Sequence, residues 1–215
     1  MSKRFYEKMF TETVKRAQEH YGSRKAFERI ESRGVSGEAA VLGDAEIDFI
    51  GSRDGFYMAT VNENGQPYIQ FRGGPAGFLN ILDDRTLAFA DFRGNLQYIS
   101  VGNLTANDQA AVFLMDYAHR QRLKLLVRVE VKDAADEPDL IERLETQGYK
   151  AKIERAMILH VEAFDWNCPQ HITPRYTINE IKGMLKPLNE YIEKLENEIT
   201  QLRDGINQKR SSVPR

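Results

Sequence analysis

Two short passages carry the residues best suited to hold an anion: Phe71-Arg72-Gly73-Gly74 and Asp91-Phe92-Arg93-Gly94-Asn95. Each sets an arginine beside glycine backbone at the end of an apolar run. A guanidinium offers a fork of N–H donors, and glycine leaves main-chain N–H groups accessible. Both favour an oxyanion such as a phosphate monoester. Taken singly, either arginine reads equally well as a solvent-facing residue before a turn. As a pair at the ends of neighbouring strands, they are expected to converge on one anion. The second passage also runs into a helical segment, whose first N–H groups have no acceptor within the helix.

Other chemistry is sparser. Gln121, in His119-Arg120-Gln121-Arg122, precedes a long apolar run. Its amide both donates and accepts, which suits the mixed imide edge of a flavin ring, although a polar hairpin residue would read the same way. Cys168 and His171 stand three apart, but the chain has one cysteine and four histidines, with no clustered carboxylates to complete a zinc set. No metal site is expected, and a lone cysteine is more often inert filler than a nucleophile. Neither a dinucleotide fingerprint nor a P-loop occurs. Trp166, Pro169 and Pro174 stiffen a loop suited to covering something.

Between and around these passages, the spacing of apolar residues predicts a small antiparallel barrel. Strands are expected at Phe56–Asn62, Tyr68–Arg72, Leu87–Phe92, Ala110–Met115, Leu123–Val131 and Ala156–Phe164, with Asn64-Gly65 as a hairpin turn. Short helices are expected over residues 7–30 with a break at Tyr21-Gly22-Ser23, after Asp44 as a cap, around Tyr98–Leu104, and from Pro138. The fold class is mainly β, a six-stranded antiparallel split barrel with flanking helices. A small barrel with cationic strand ends invites a phosphorylated flat cofactor.

The tail has a different pattern. Ile178, Ile181, Leu185, Leu188, Ile192, Leu195, Ile199, Leu202 and Ile206 are spaced alternately three and four apart. Isoleucine at a and leucine at d favour a parallel two-stranded coiled coil, and Glu198 at g can meet Arg203 at e of a second chain. The plainer reading is a helix laid along its own barrel. Pro187 is expected to kink or restart this helix, and the final residues, 209–215, to fray. Three regions result: helices over 1–44, the barrel over 45–176 and the tail helix over 177–215.

Composition sets the bounds. The chain has 215 residues, 41% hydrophobic and 29% charged, with a net charge of −2. It can bury one good core, and it offers no electrostatic case for nucleic acid or an anionic membrane. One cysteine excludes a disulfide framework and fits a reducing compartment. The first residues lack a signal peptide's apolar region, and no run is long enough to span a bilayer, so a soluble cytoplasmic protein is expected.

Read together, Ala90-Asp91-Phe92-Arg93-Gly94-Asn95, Arg120-Gln121-Arg122 and Asn167-Cys168-Pro169-Gln170-His171 resemble the pyridoxamine 5'-phosphate oxidase-like family of FMN-binding split barrels, and within it the predicted flavin-nucleotide-binding branch. The resemblance spans about Phe49 to Arg175. It implies a homodimer holding two FMN molecules in clefts between subunits. It further implies that Gln70, Phe71 and Arg72 meet the ribityl phosphate, that Ala90, Arg93 and Asn95 wrap the same phosphate and ribityl chain, and that Gln121 touches the ring. Gln170, His171 and Arg175 would close the ring side from the partner chain. The oxidase's Arg-Lys phosphate turn is replaced here by Arg93-Gly94-Asn95. Its Tyr, Arg and Ser set is not reproduced on the helix from Pro138 to Tyr149, and its C-terminal Arg-x-His is missing. The resemblance therefore implies an FMN oxidoreductase acting on a small molecule other than pyridoxamine phosphate. Its competitors are a non-catalytic flavin carrier or sensor, and a haem-handling barrel with His160 or His171 as axial ligand.

Overall fold

Alternation of buried and more exposed positions along residues 55–61, 109–116 and 121–130 builds much of the sheet that dominates the molecule. The computed structural model describes residues 2–32, 39–166 and 170–211, with side chains to 204. Three short helices come first: α1 (Lys3–Met9), α2 (Glu12–His20) and α3 (Arg24–Glu31). The main chain of Ser2, just before α1, donates to the Phe164 carbonyl at 2.9 Å. Helix α4 (Asp44–Gly51) follows. Its N-cap is Gly43 rather than the expected Asp44. The Glu46 carboxylate accepts from the Gly43 N–H at 3.0 Å, so Asp44 instead lends its charge to the positive end of the helix.

The strands are β1 (Gly55–Val61), β2 (Pro67–Gly73), β3 (Asn80–Ile81), β4 (Thr86–Phe92), β5 (Gln109–Asp116), β6 (Gln121–Asp133) and β7 (Ile153–Trp166). All six expected strands are present, and the two-residue β3 is an addition. Helix α5 (Ile99–Ala106) connects β4 to β5, and α6 (Pro138–Leu144) connects β6 to β7. Pro138 opens α6 as expected, but the helix stops at Leu144, which leaves Tyr149 in a loop.

The strand order is β2-β1-β5-β6-β7-β4-β3, and each strand pairing is antiparallel. No ladder joins β2 to β4, so the barrel is split. Phe56 and Met58 of β1, Val112 and Leu114 of β5, and Leu123, Leu125 and Val127 of β6 point inward and are almost fully buried. Phe56, Phe78 and Phe89 meet at the end of this core, with ring centroids 5.2–6.3 Å apart. Strand β4 is buried on both faces, because Ala88 and Ala90 pack with Leu144 and Ala156 in a second small cluster.

Thr173–Arg215 forms a unit of its own. It contains the 34-residue α7 (Ile178–Ser211), which runs unbroken through Pro187. Proline removes one N–H from the ladder, but the neighbouring bonds carry the helix past it. Among the described residues no helix is long and apolar enough to cross a membrane.

Candidate functional site

The open seam between β2 and β4 holds a cleft of about 240 Å³. Register places its key side chains. Arg72 pairs with the inward-facing Phe56 across the β1–β2 ladder, so its side chain turns over the end of the core, 6.0 Å from the Phe89 ring. Phe71 therefore points outward. Its ring folds back over Gly73, where a Cβ would come within 2.8 Å of it, and over Gly55, which is tighter still. Glycine at both positions is what lets Phe71 lie across the strand pair.

Asp91, at the end of β4, faces Arg72 across the seam. Arg72 Nη1 donates to Asp91 Oδ1 at 2.6 Å, with the two side chains 13% and 3% exposed. Arg155 of β7 donates to the other oxygen, Oδ2, through Nε at 3.0 Å and Nη2 at 2.9 Å. Arg155 also reaches Glu154 at 3.0 Å, and Glu154 stands 3.6 Å from Arg93. Burial pulls the Arg72 guanidinium below its ordinary value while Asp91 works the other way. Burial also lowers Arg155, but Asp91 and Glu154 outweigh it and leave that group above its ordinary value. Three guanidinium groups against two carboxylates leave the cleft one positive charge in excess.

A bulge explains why Glu154 and Arg155 can both serve the cleft. The β4–β7 register passes from Asp91↔Arg155 to Phe92↔Ile153, so Glu154 is the extra residue. Such an insertion re-aims side chains that would otherwise alternate.

The floor of the cleft continues into the loop of residues 93–98. Asn95 Oδ1 accepts from the Gln97 N–H at 3.1 Å, and Leu96 and Tyr98 adopt left-handed φ values of 62° and 52°. Non-glycine residues in that region carry a cost of about 1–2 kcal/mol each, a kind of strain that clusters at binding sites. Tyr98 stacks under Arg155, 4.9 Å from its guanidinium carbon, and is also the N-cap of α5 without a side-chain cap of its own. The first bond of α5 runs from the Gly102 N–H to the Tyr98 carbonyl at 2.9 Å. The N–H groups of Ile99, Ser100 and Val101 therefore have no acceptor within the helix, and these residues line the cleft. Ser100 donates to Gln70 Oε1 at 3.2 Å, tying β2 to this helix start.

Does this donor set fit a phosphate monoester? Arg72 Nε is buried and has no hydrogen-bond partner, although a buried donor left unpaired is costly. Arg93 is half exposed and also lines the cleft. A guanidinium donor in need of an acceptor, a free helix start and a positive excess are the features that an anionic headgroup satisfies. The site fits.

Of the expected site residues, Gln70, Phe71, Arg72, Ala90, Arg93 and Asn95 all line this cleft. Ala90 contributes a wall only, since it packs into the small core cluster. Gln121 does not lie there. It borders a second hollow with Arg53, Asp116, His119 and Trp166, three strands away from β2 or about 14 Å across the sheet. Gln170 and His171 are exposed and outside the cleft, and the exposed Arg175 belongs to the separate tail unit. Cys168 lies outside the described residues. His160 sits 3.7 Å from Glu130, away from the cleft. Among the described residues no three His, Cys, Asp or Glu side chains gather as metal ligands would.

Sequence reasoning missed Asp91 as the central acid, Glu154 and Arg155 as its neighbours, and the rings of Tyr98 and Tyr149. The one available signal was Glu154-Arg155, two adjacent charges at the head of an apolar strand.

No curated protein matches the chain in sequence. Among solved structures it is similar to HupZ of Group A Streptococcus, at 17% identity over 63% of this chain and 99% of that one, with a TM-score of 0.44. A Clostridium acetobutylicum protein related to general stress protein 26 shares 18% identity over 64% and 94%, with a TM-score of 0.42. An F420 reductase shares 19% over 58% and 98%, with a TM-score of 0.41. The sequence profile of pyridoxamine 5'-phosphate oxidase matches residues 42–165, which include every strand-borne residue of the cleft. That match covers more than half of the chain, and the chain belongs to the pyridoxamine 5'-phosphate oxidase family.

Proposed function

We propose that the protein is a homodimeric FMN-dependent oxidoreductase acting on a small molecule other than pyridoxamine phosphate. The observation that carries this reading is the buried, unpartnered Arg72 Nε in a cleft that also holds Arg93 and the start of α5. Arg72, Arg93 and the first N–H groups of α5 would hold the phosphate, with Gln70 and Asn95 beside the ribityl chain. When bound, FMN supplies the redox chemistry, and the protein's part is to fix the ring and keep water from it. No nucleophilic side chain is required for that role.

The dimer is supported by the outer face of β2-β1-β5. Phe71, Tyr57 and Phe113 lie in one row, and Ile69, Ala59 and Ala111 in the next. Ile69 and Phe71 are 63% and 57% exposed, which is a large apolar presentation for an edge strand. Phe71 also lines the cleft, so a second copy seated on this face would wall the cleft's open side. Gln121, remote from its own cleft, could then reach the ring held by the other copy. The single cysteine fits a reducing, cytoplasmic setting.

The test is an ultraviolet–visible spectrum of purified protein, with mass spectrometry of the released ligand. Flavin absorbance and the mass of FMN are expected. A colourless protein that takes up no FMN from excess overturns the reading. Rapid reduction of bound flavin by a nicotinamide donor separates an enzyme from a passive carrier.

A further inference from the structure

We infer that α7 pairs with α7 of a second copy as a parallel, in-register two-stranded coiled coil over Leu185–Leu202. This interface goes beyond the flavin site and is independent of it. A 34-residue helix extends about 50 Å. Its apolar residues Leu185, Leu188, Ile192, Leu195, Ile199 and Leu202 are 38–67% exposed. Six aliphatic side chains on one stripe are far more than the scattered exposure a monomer normally carries.

The pattern names the occupant. Spacings of 3, 4, 3, 4 and 3 residues average near 3.5 per turn, so the stripe stays in line only against a supercoiled partner helix. Ile192 and Ile199 occupy a, while Leu188, Leu195 and Leu202 occupy d, the assignment that selects two parallel strands. On that register Pro187 falls at c and Gly183 at f, so both face away from the seam, while Gly205, at g, lies beyond the paired segment. Charge sets the direction. Glu198 at g lies opposite Arg203 at e of a parallel partner, whereas an antiparallel partner would set g against g and lose the pair. Glu198 already has Lys194 of its own helix at 3.9 Å, so Arg203 of the partner would complete a three-charge cluster at the flank.

The experiment uses the full chain with Cys168→Ser as background and single cysteines added at Leu188, Leu202 and, as control, Lys194. Leu188 and Leu202 are 52% and 67% exposed, so neither is a buried core position of its unit. A parallel in-register coil brings each d position onto its own counterpart within disulfide reach and holds the c-position control out of reach. Mild oxidation should therefore give covalent dimers for both Leu188→Cys and Leu202→Cys, and not for Lys194→Cys, whether or not flavin is bound. An antiparallel pair can bring at most one position onto itself. Cross-linking at only one leucine position, at neither, or equally at Lys194→Cys overturns the inference.

Discussion

Arg72 and Asp91 meet at 2.6 Å across a gap that no backbone ladder spans. Arg72 ends the strand at one margin of the sheet, and Asp91 ends a strand near the other, so this contact fastens the split side of the barrel. The same two residues line the cleft. Asp91 spends both oxygens on guanidinium groups, Oδ1 on Arg72 and Oδ2 on Arg155. Arg72 spends only Nη1 on Asp91 and keeps a buried Nε unpaired. Both carboxylate oxygens are engaged while one guanidinium donor is not, and the proposed phosphate site rests on that imbalance.

Asp91→Ala should be among the most damaging single changes in the barrel. It leaves two arginines facing each other, each with side chains only 13% exposed. Removing one partner from a buried ionic cluster typically costs about 3–5 kcal/mol. The expected result in urea titration is a loss of this order relative to the unsubstituted protein. A loss below about 1 kcal/mol would show that the cluster relaxes into water without cost.

Arg93→Ala should behave in the opposite way. Its side chain is half exposed, and its partner Glu154 is 3.6 Å away, so stability should change by less than about 0.5 kcal/mol. A charged hydrogen bond to phosphate contributes about 1.5–3 kcal/mol, and the FMN dissociation constant should rise roughly ten- to hundred-fold. Flavin fluorescence quenching measures it. Unchanged affinity removes Arg93 from the phosphate site.

These contrasts mark what the chain made legible. Inward rows such as Phe56, Met58 and Thr60 repeat every second residue, and that period is a local property, visible without coordinates. The Arg72 and Arg93 passages were legible for a related reason, since cation and glycine lie next to each other in the chain. Arg155 was not, because its role depends on the register that sets it opposite Asp91, a residue more than sixty positions earlier in the chain. Gly43 displaced Asp44 as the cap of α4 because Glu46 could reach back to its N–H, a choice between two adjacent good candidates. Gln121 was recognisable as a polar hairpin residue, yet only the register of β5 and β6 shows that it is remote from the arginines.

The second hollow makes a pH prediction. Asp116 accepts from the His119 main-chain N–H at 2.9 Å and meets the His119 ring and Arg53, each at 3.0 Å. Burial raises its carboxyl, but the His119 hydrogen bonds and the Arg53 charge outweigh that and hold it below the ordinary value. A carboxyl lowered on folding contributes stability that is complete above its unfolded value, about 3.9, and lost as pH falls through the folded value. Asp116→Asn should therefore destabilise by about 1–3 kcal/mol near neutrality. The gap to the unsubstituted protein should narrow steadily below about pH 4. Urea midpoints for both proteins across that range decide it. A gap that stays constant into acid would mean that shape, not charge, is what the hairpin requires.

Gln121 supplies the sharpest test of shared sites. Within one chain it borders a hollow that has no lining residue in common with the Arg72 cleft. If both serve one flavin, they come from different copies. Arg93→Ala and Gln121→Ala homodimers should each bind FMN weakly. Unfolded together and refolded at equal amounts, they give mixed dimers in which one site carries both substitutions and the other carries neither. Random pairing makes about half of all dimers mixed, so about a quarter of all sites should regain unsubstituted affinity. Titration with FMN would resolve that tight fraction from the weak remainder. Were each chain to build its whole site alone, every site in the mixture would hold one substitution and no tight fraction would appear.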